Sequence, residues 1–151
     1  TRRPANTRWR RRLAITWLRT RSSKVPGRKL AWDRRVNITE KADDEILAMA
    51  KPLWRDLVTH SNEGKYGEFS RNFSSSLALA MDQVAAGHQF AHSELARNLS
   101  EEFDALGTIR RGEHVTVLFR QRSTKMPGEW LGRLVLGYED GNVRIFGASI
   151  F

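Results

Sequence analysis

The spacing of hydrophobic residues changes once along this chain, separating a helical part from a stranded part. Ala42, Ile46, Met49, Leu53, Trp54 and Leu57 recur at helical spacing, which predicts a helix running to His60. Thr39 stands as its N-cap, and Glu40, Asp43 and Asp44 fall in the first turns, where the helix dipole favours negative charge. Pro52 has no N–H to give the carbonyl of Ala48, so a kink is expected between them. Asn62 to Gly64 end the helix. A short helix over residues 66–72 presents Tyr66, Phe69 and Phe73 to one side, and the run Ser74-Ser75-Ser76 caps a segment over 77–86. Ser93 as N-cap, with Leu95, Leu99, Phe103 and Leu106 facing inward, predicts a last helix closed by Gly107.

After Gly107 the period becomes two, the signature of strands. Residues 113–122 alternate, 129–138 are long and apolar, and 142–151 complete a third strand. Asp140-Gly141 is a two-residue hairpin signal, because these residues tolerate the positive φ of a type I′ turn. The turn pairs Tyr138 with Val143, Leu136 with Ile145 and Leu134 with Gly147. If Arg122 pairs with Glu129 across the longer loop, Val115 faces Leu136, Val117 faces Leu134 and Phe119 faces Gly132. One face then carries Val115, Val117, Phe119, Trp130, Leu134, Leu136, Tyr138, Val143 and Ile145, and it belongs against the helices.

The opposite face carries Thr116, Leu118, Arg120, Leu131, Arg133, Val135, Arg144, Phe146, Ala148 and Ile150. Large apolar groups interleaved with arginine are the composition of a protein interface rather than of a solvated face. Leu118, Arg120, Leu131, Arg133, Val135, Arg144 and Phe146 are therefore the candidates for a dimer interface. A face covered by a loop or by the N-terminal arm is the alternative.

Charge alters this picture only at one end. The 151 residues carry 26 Lys and Arg against 17 Asp and Glu, a formal +9. Residues 1–35 hold 13 of the basic residues and one acid, Asp33, while residues 36–151 are slightly acidic. A uniformly basic nucleic-acid-binding domain is excluded, and any nucleic-acid contact is confined to the arm of residues 1–35. The arm reads as a mobile or loosely docked tail, within which residues 8–19 allow a short helix bearing Trp9, Leu13 and Trp17. An anionic-surface contact and a targeting presequence are its other readings. Residues 36–151 form one α+β domain, helices first and then a curved antiparallel sheet. With no cysteine, disulfides, thiolate metal sites and cysteine nucleophiles are excluded. No apolar run approaches the roughly 20 residues of a membrane span. A cytoplasmic location is expected.

Two stretches carry a resemblance. Leu53-Trp54-Arg55-Asp56-Leu57-Val58 leads through Gly64-Lys65-Tyr66-Gly67-Glu68-Phe69, a helix ending at a small loop before an aromatic pair. Leu134-Val135-Leu136-Gly137-Tyr138-Glu139-Asp140-Gly141-Asn142-Val143-Arg144-Ile145-Phe146-Gly147 is a strand, an Asp-Gly turn and a strand ending at glycine. Together, over residues 40–151, they resemble the nuclear-transport-factor-2-like superfamily, through features of fold rather than of chemistry. The resemblance implies a cone whose mouth holds a small hydrophobic ligand or an active site. It also implies a homodimer joined through the outer sheet face.

The chemistry of the superfamily's isomerases, epoxide hydrolases and cyclases needs a carboxylate or histidine near the substrate and a donor where charge develops. The phenols here are Tyr66 and Tyr138, and Asp56, Asp82 and Asp104 lie on predicted helices, away from the inward sheet face. No acid–base pair transfers residue by residue, so a binding module is favoured over a small enzyme. Trp54, Tyr66, Phe69, Phe73, Phe103, Trp130 and Tyr138 are the candidates to line a pocket, with plain core as the alternative. His88 and His92 stand four apart, but Gly87 interrupts the helix that would pair them. His60 reads as a cation favoured by the helix dipole, and His114 falls at a strand start on the outer face. No metal site and no cofactor is expected. Phosphate loops and serine nucleophile elbows are absent from the sequence.

Overall fold

The structure, a computed structural model, describes residues 15–17, 37–81 and 93–151. In chain order these form strand β1 (Ile15–Trp17), a 3-10 turn (Ile38–Glu40), helices α1 (Asp43–Glu63), α2 (Tyr66–Phe69) and α3 (Ser75–Ala80), then strands β2 (Leu99–Arg111), β3 (His114–Ser123), β4 (Trp130–Glu139) and β5 (Asn142–Ile150). The class is α+β. The sheet is antiparallel in the order β1-β5-β4-β3-β2 and is not closed. Ile15–Trp17 lie inside the basic segment and pair with residues 148–150 of β5, where the spacing had allowed a helix over 8–19. The rest of that segment, the end of the helix expected over 77–86, Asp82, His88 and His92 lie outside the described residues.

The start of α1 differs from expectation. The Asn37 side chain accepts hydrogen bonds from the Thr39 amide and hydroxyl, so Asn37 caps the 3-10 turn and Thr39 is capped rather than capping. α1 begins two residues after Lys41, with Ala42 at its N-cap and no side-chain cap, while Asp43, Asp44 and Glu45 supply negative charge to its first turn. The helix continues through Pro52, which is exposed, and ends at Gly64, whose left-handed φ of 69° suits a residue without Cβ. Its buried stripe is Ile46, Ala50, Trp54, Leu57, Val58 and Ser61. α2 stops at Phe69, short of the expected Asn72. Ser74 caps α3, its hydroxyl accepting from the Leu77 amide.

The largest correction falls on β2. Ser93 does cap a turn, accepting from the Ala96 amide, but Leu99, Phe103 and Leu106 lie on a 13-residue strand, not a helix. Its pairing with β3 is irregular between Leu99 and Phe103 and again between Ala105 and Gly107. The first inserts two residues and keeps the alternation in phase, while the second inserts one, Leu106, and exchanges the faces beyond it. The apolar positions therefore fall four and three apart, which imitates a helix. Phe103 is half-buried and Leu106 is exposed.

Elsewhere the expected register holds. Val115 pairs with Leu136, Val117 with Leu134, and Phe119 with Gly132. Across the hairpin, Tyr138 pairs with Val143 and Leu136 with Ile145, and both turn residues have positive φ, Asp140 at 52° and Gly141 at 78°. One step further the pairing slips. Val135 meets Gly147 and Leu134 meets Ala148, so Phe146 is the extra residue of a bulge in β5. The slip exchanges faces beyond it, and Ala148 and Ile150, expected on the outer face, are buried in the core.

Candidate functional site

The two faces of the sheet are built differently. On the inner face, Trp54 of α1 stacks on Phe119 of β3 at 5.1 Å, and Phe103 meets the same ring edge-on at 5.4 Å. The indole N–H donates to Gln121 Oε1 at 2.9 Å, and the Gln121 amide donates in turn to the carbonyls of Ser100 and Arg122. Gln121 is fully buried and joins α1, β2 and β3 through bonds that satisfy it. From the sequence alone Gln121 is assigned to neither face; continuing the alternation of Val115, Val117 and Phe119 to the position opposite Trp130 is the signal that locates it.

The seven aromatic candidates share one core but not one ring stack. Trp54, Phe103 and Phe119 form one group, and Phe69 with Phe73 forms another, edge-on at 5.5 Å. Trp54, Phe69, Phe73 and Trp130 are buried, while Tyr66, Tyr138 and Phe103 are half-buried against the same core. The Arg55 guanidinium lies 5.4 Å from the centre of the Phe103 ring. Among the described residues the buried polar side chains are Ser61, Ser74, Gln121 and Ser149, all uncharged. The carboxylates read as catalytic candidates lie elsewhere. Asp56 pairs with Arg71 at 3.0 Å on the exposed side of α1, and Asp104 lies on the outer side of β2.

The outer face can be followed row by row across the strands. Asp104 lies opposite Arg120, which lies opposite Leu131, whose backbone bonds to Phe151. The next rows run Gly107, Leu118, Arg133, Ser149 and then Ile109, Thr116, Val135, Gly147. Arg120 pairs with Glu129 at 2.7 Å and Asp104 at 3.7 Å, and Arg122 reaches Asp104 at 3.2 Å. The Arg133 guanidinium lies 5.5 Å from the centre of the Phe151 ring. His114 and Phe146 meet edge-on at 4.6 Å beside Gly137. Val135 is already buried within the chain, which corrects its place among the open interface candidates. Arg144, Phe146, Leu118 and Arg133 are half-buried.

Among the described residues, the exposed large hydrophobic side chains are Leu79, Leu106, Ile109, Leu131 and Phe151. Register places Ile109 and Leu131 on the outer face, Phe151 lies under Arg133 on that face, and Leu106 sits at the bulge beside it. Leu106, Ile109 and Phe151 were not among the sequence candidates, Leu106 and Ile109 because β2 was read as a helix or left unassigned.

No family model, no curated protein and no solved structure matches this chain. No helix among the described residues is long and apolar enough to cross a membrane.

Proposed function

We propose that the protein is a partner-binding module of nuclear-transport-factor-2-like type whose partner is a second copy of itself, held through the outer face of the sheet. The observation that carries this is the gathering of Leu106, Ile109, Leu131 and Phe151 on or beside that face, with Arg120 and Arg122 paired to acids of the same chain among them. An apolar patch rimmed by polar groups is the usual composition of an interface. Asp104 and Glu129 offset Arg120 and Arg122, so these two arginines would not oppose each other as unpaired like charges where two copies meet about a two-fold axis.

We assign to the sheet together with α1 the cone of that superfamily. The buried polar groups there are uncharged, which supports binding over acid–base catalysis.

Light scattering tests the dimer. The unmodified chain should show twice the chain mass, and Leu131→Glu should halve that mass while the chain still unfolds in one cooperative thermal transition. A monomer at all concentrations, or an unchanged mass in Leu131→Glu, would remove the proposal.

A further inference from the structure

The C-terminal end of α1 is fastened more tightly than a helix end needs. The Ser61 hydroxyl donates to the Ala96 carbonyl at 2.6 Å. Asn62 pairs its amide with the backbone of Leu99 from both sides, donating to the carbonyl at 2.8 Å and accepting from the N–H at 2.7 Å. Arg97 donates to the Asn62 carbonyl. The left-handed Gly64 then reverses the chain, and α2 brings Glu68 back against the last turn of α1.

That reversal gathers three donor atoms of the kinds that hold metals. His60 Nδ1 lies 3.2 Å from Glu68 Oε2 and 3.9 Å from Glu63 Oε2, and ligand atoms of all three residues lie within 4.8 Å of one another. Nδ1 is buried and has no hydrogen-bond partner, so the Glu68 carboxylate beside it is not an acceptor in line with the ring. Ligand atoms of a tetrahedral zinc site, at metal distances near 2.1 Å, stand about 3.4 Å apart. The separations at His60 bracket that value. Lys65 places its ammonium 3.1 Å from Glu63 Oε2, so the cluster already draws one cation.

We infer that His60, Glu63 and Glu68 form a binding site for a divalent transition cation of the zinc type, with Lys65 as the built-in competitor for its carboxylates. One imidazole nitrogen with two carboxylate oxygens suits zinc and its first-row neighbours, whereas magnesium prefers oxygen alone. Three protein ligands leave a coordination position for water, as open zinc sites do. The site lies at the junction of α1 and α2 and owes nothing to the sheet face through which the copies meet.

Calorimetric titration of the chelator-treated full chain with zinc chloride, and the visible spectrum of the chain with cobalt(II), test this. Zinc should bind in a one-to-one ratio, and cobalt should give the intense absorption of a tetrahedral site. His60→Gln should weaken zinc binding at least about tenfold and abolish that absorption. Lys65→Gln should tighten zinc binding, which a merely structural ion pair would not predict. Glu68→Gln is the second variant should His60→Gln melt early. No zinc binding, equal zinc affinity in His60→Gln, or magnesium binding as tight as zinc would each overturn the assignment. In those cases His60 only packs beside Glu68 at the helix end.

Discussion

The inner and outer faces of the sheet are made by the same strands, and they differ in what fixes their side chains. Inside, an indole is held three ways, by the Phe119 ring, by the Gln121 amide and by the bare backbone of Gly132. Outside, the large groups are Leu131, Ile109 and Phe151, exposed between exposed ion pairs. Interior packing at close density gives the inner face its uniqueness, while exposed ion pairs hold little energy. The fold is thus determined from one side. The other side remains open to association.

The sharpest way to break this contrast is at Trp54. Trp54→Ala should cost about 3–5 kcal/mol of stability in urea unfolding, because it opens a cavity and orphans the Gln121 oxygen. A loss no larger than that of a surface substitution would mean the indole does not organise the core. Paired glycine substitutions come next. A Cβ at Gly132 would stand 2.5 Å from the Trp54 ring, and one at Gly137 would stand 2.8 Å from His114 and 2.9 Å from Phe146. Trp54 is locked and the outer rings have solvent beside them, so Gly132→Ala should cost about 1–3 kcal/mol and Gly137→Ala less. Equal losses in thermal melts would erase the difference between the faces.

The smallest effect is expected where α1 meets β2. Arg110 donates to Asp43 and to the carbonyls of Thr39 and Lys41, and the Thr108 hydroxyl also donates to Asp43. The Arg110 hydrogen bond, then that of Thr108, holds the Asp43 carboxyl below the usual carboxylate range. Its folded pKa is therefore lower than its unfolded one, so its contribution is present above the unfolded value and disappears as pH falls through the lowered one. The melting-temperature gap between the unmodified chain and Asp43→Asn should stay level from neutral pH to about pH 5 and close below about pH 4. It should also shrink in high salt, because the pair is solvent-exposed. A gap that widens on acidification would reverse the assigned sign.

Legibility followed regularity of period. The β3–β4 register and the Asp140-Gly141 hairpin could be read because nothing interrupts their alternation near the turn. β2 and the far half of β5 could not. Two irregularities in β2 space Leu99, Phe103 and Leu106 like a helix, and the bulge at Phe146 turns Ala148 and Ile150 from outside to inside. A bulge leaves no compositional mark in a single sequence. The start of α1 was misplaced for a different reason, since Asn37 and Thr39 are both good caps and only the 3-10 turn decides which one acts. At the candidate sites, the outer face was legible in outline, whereas the convergence of Glu63 and Glu68 on His60 depends on the reversal at Gly64.

The central claim is that the outer face meets a second copy. Because the chain lacks cysteine, a single introduced thiol reports on one position alone. Maleimide labelling of Leu131→Cys should slow as protein concentration rises through the dimerisation range. Labelling of Leu79→Cys, on the exposed side of α3, should not change. The same concentration dependence at both positions would contradict the account.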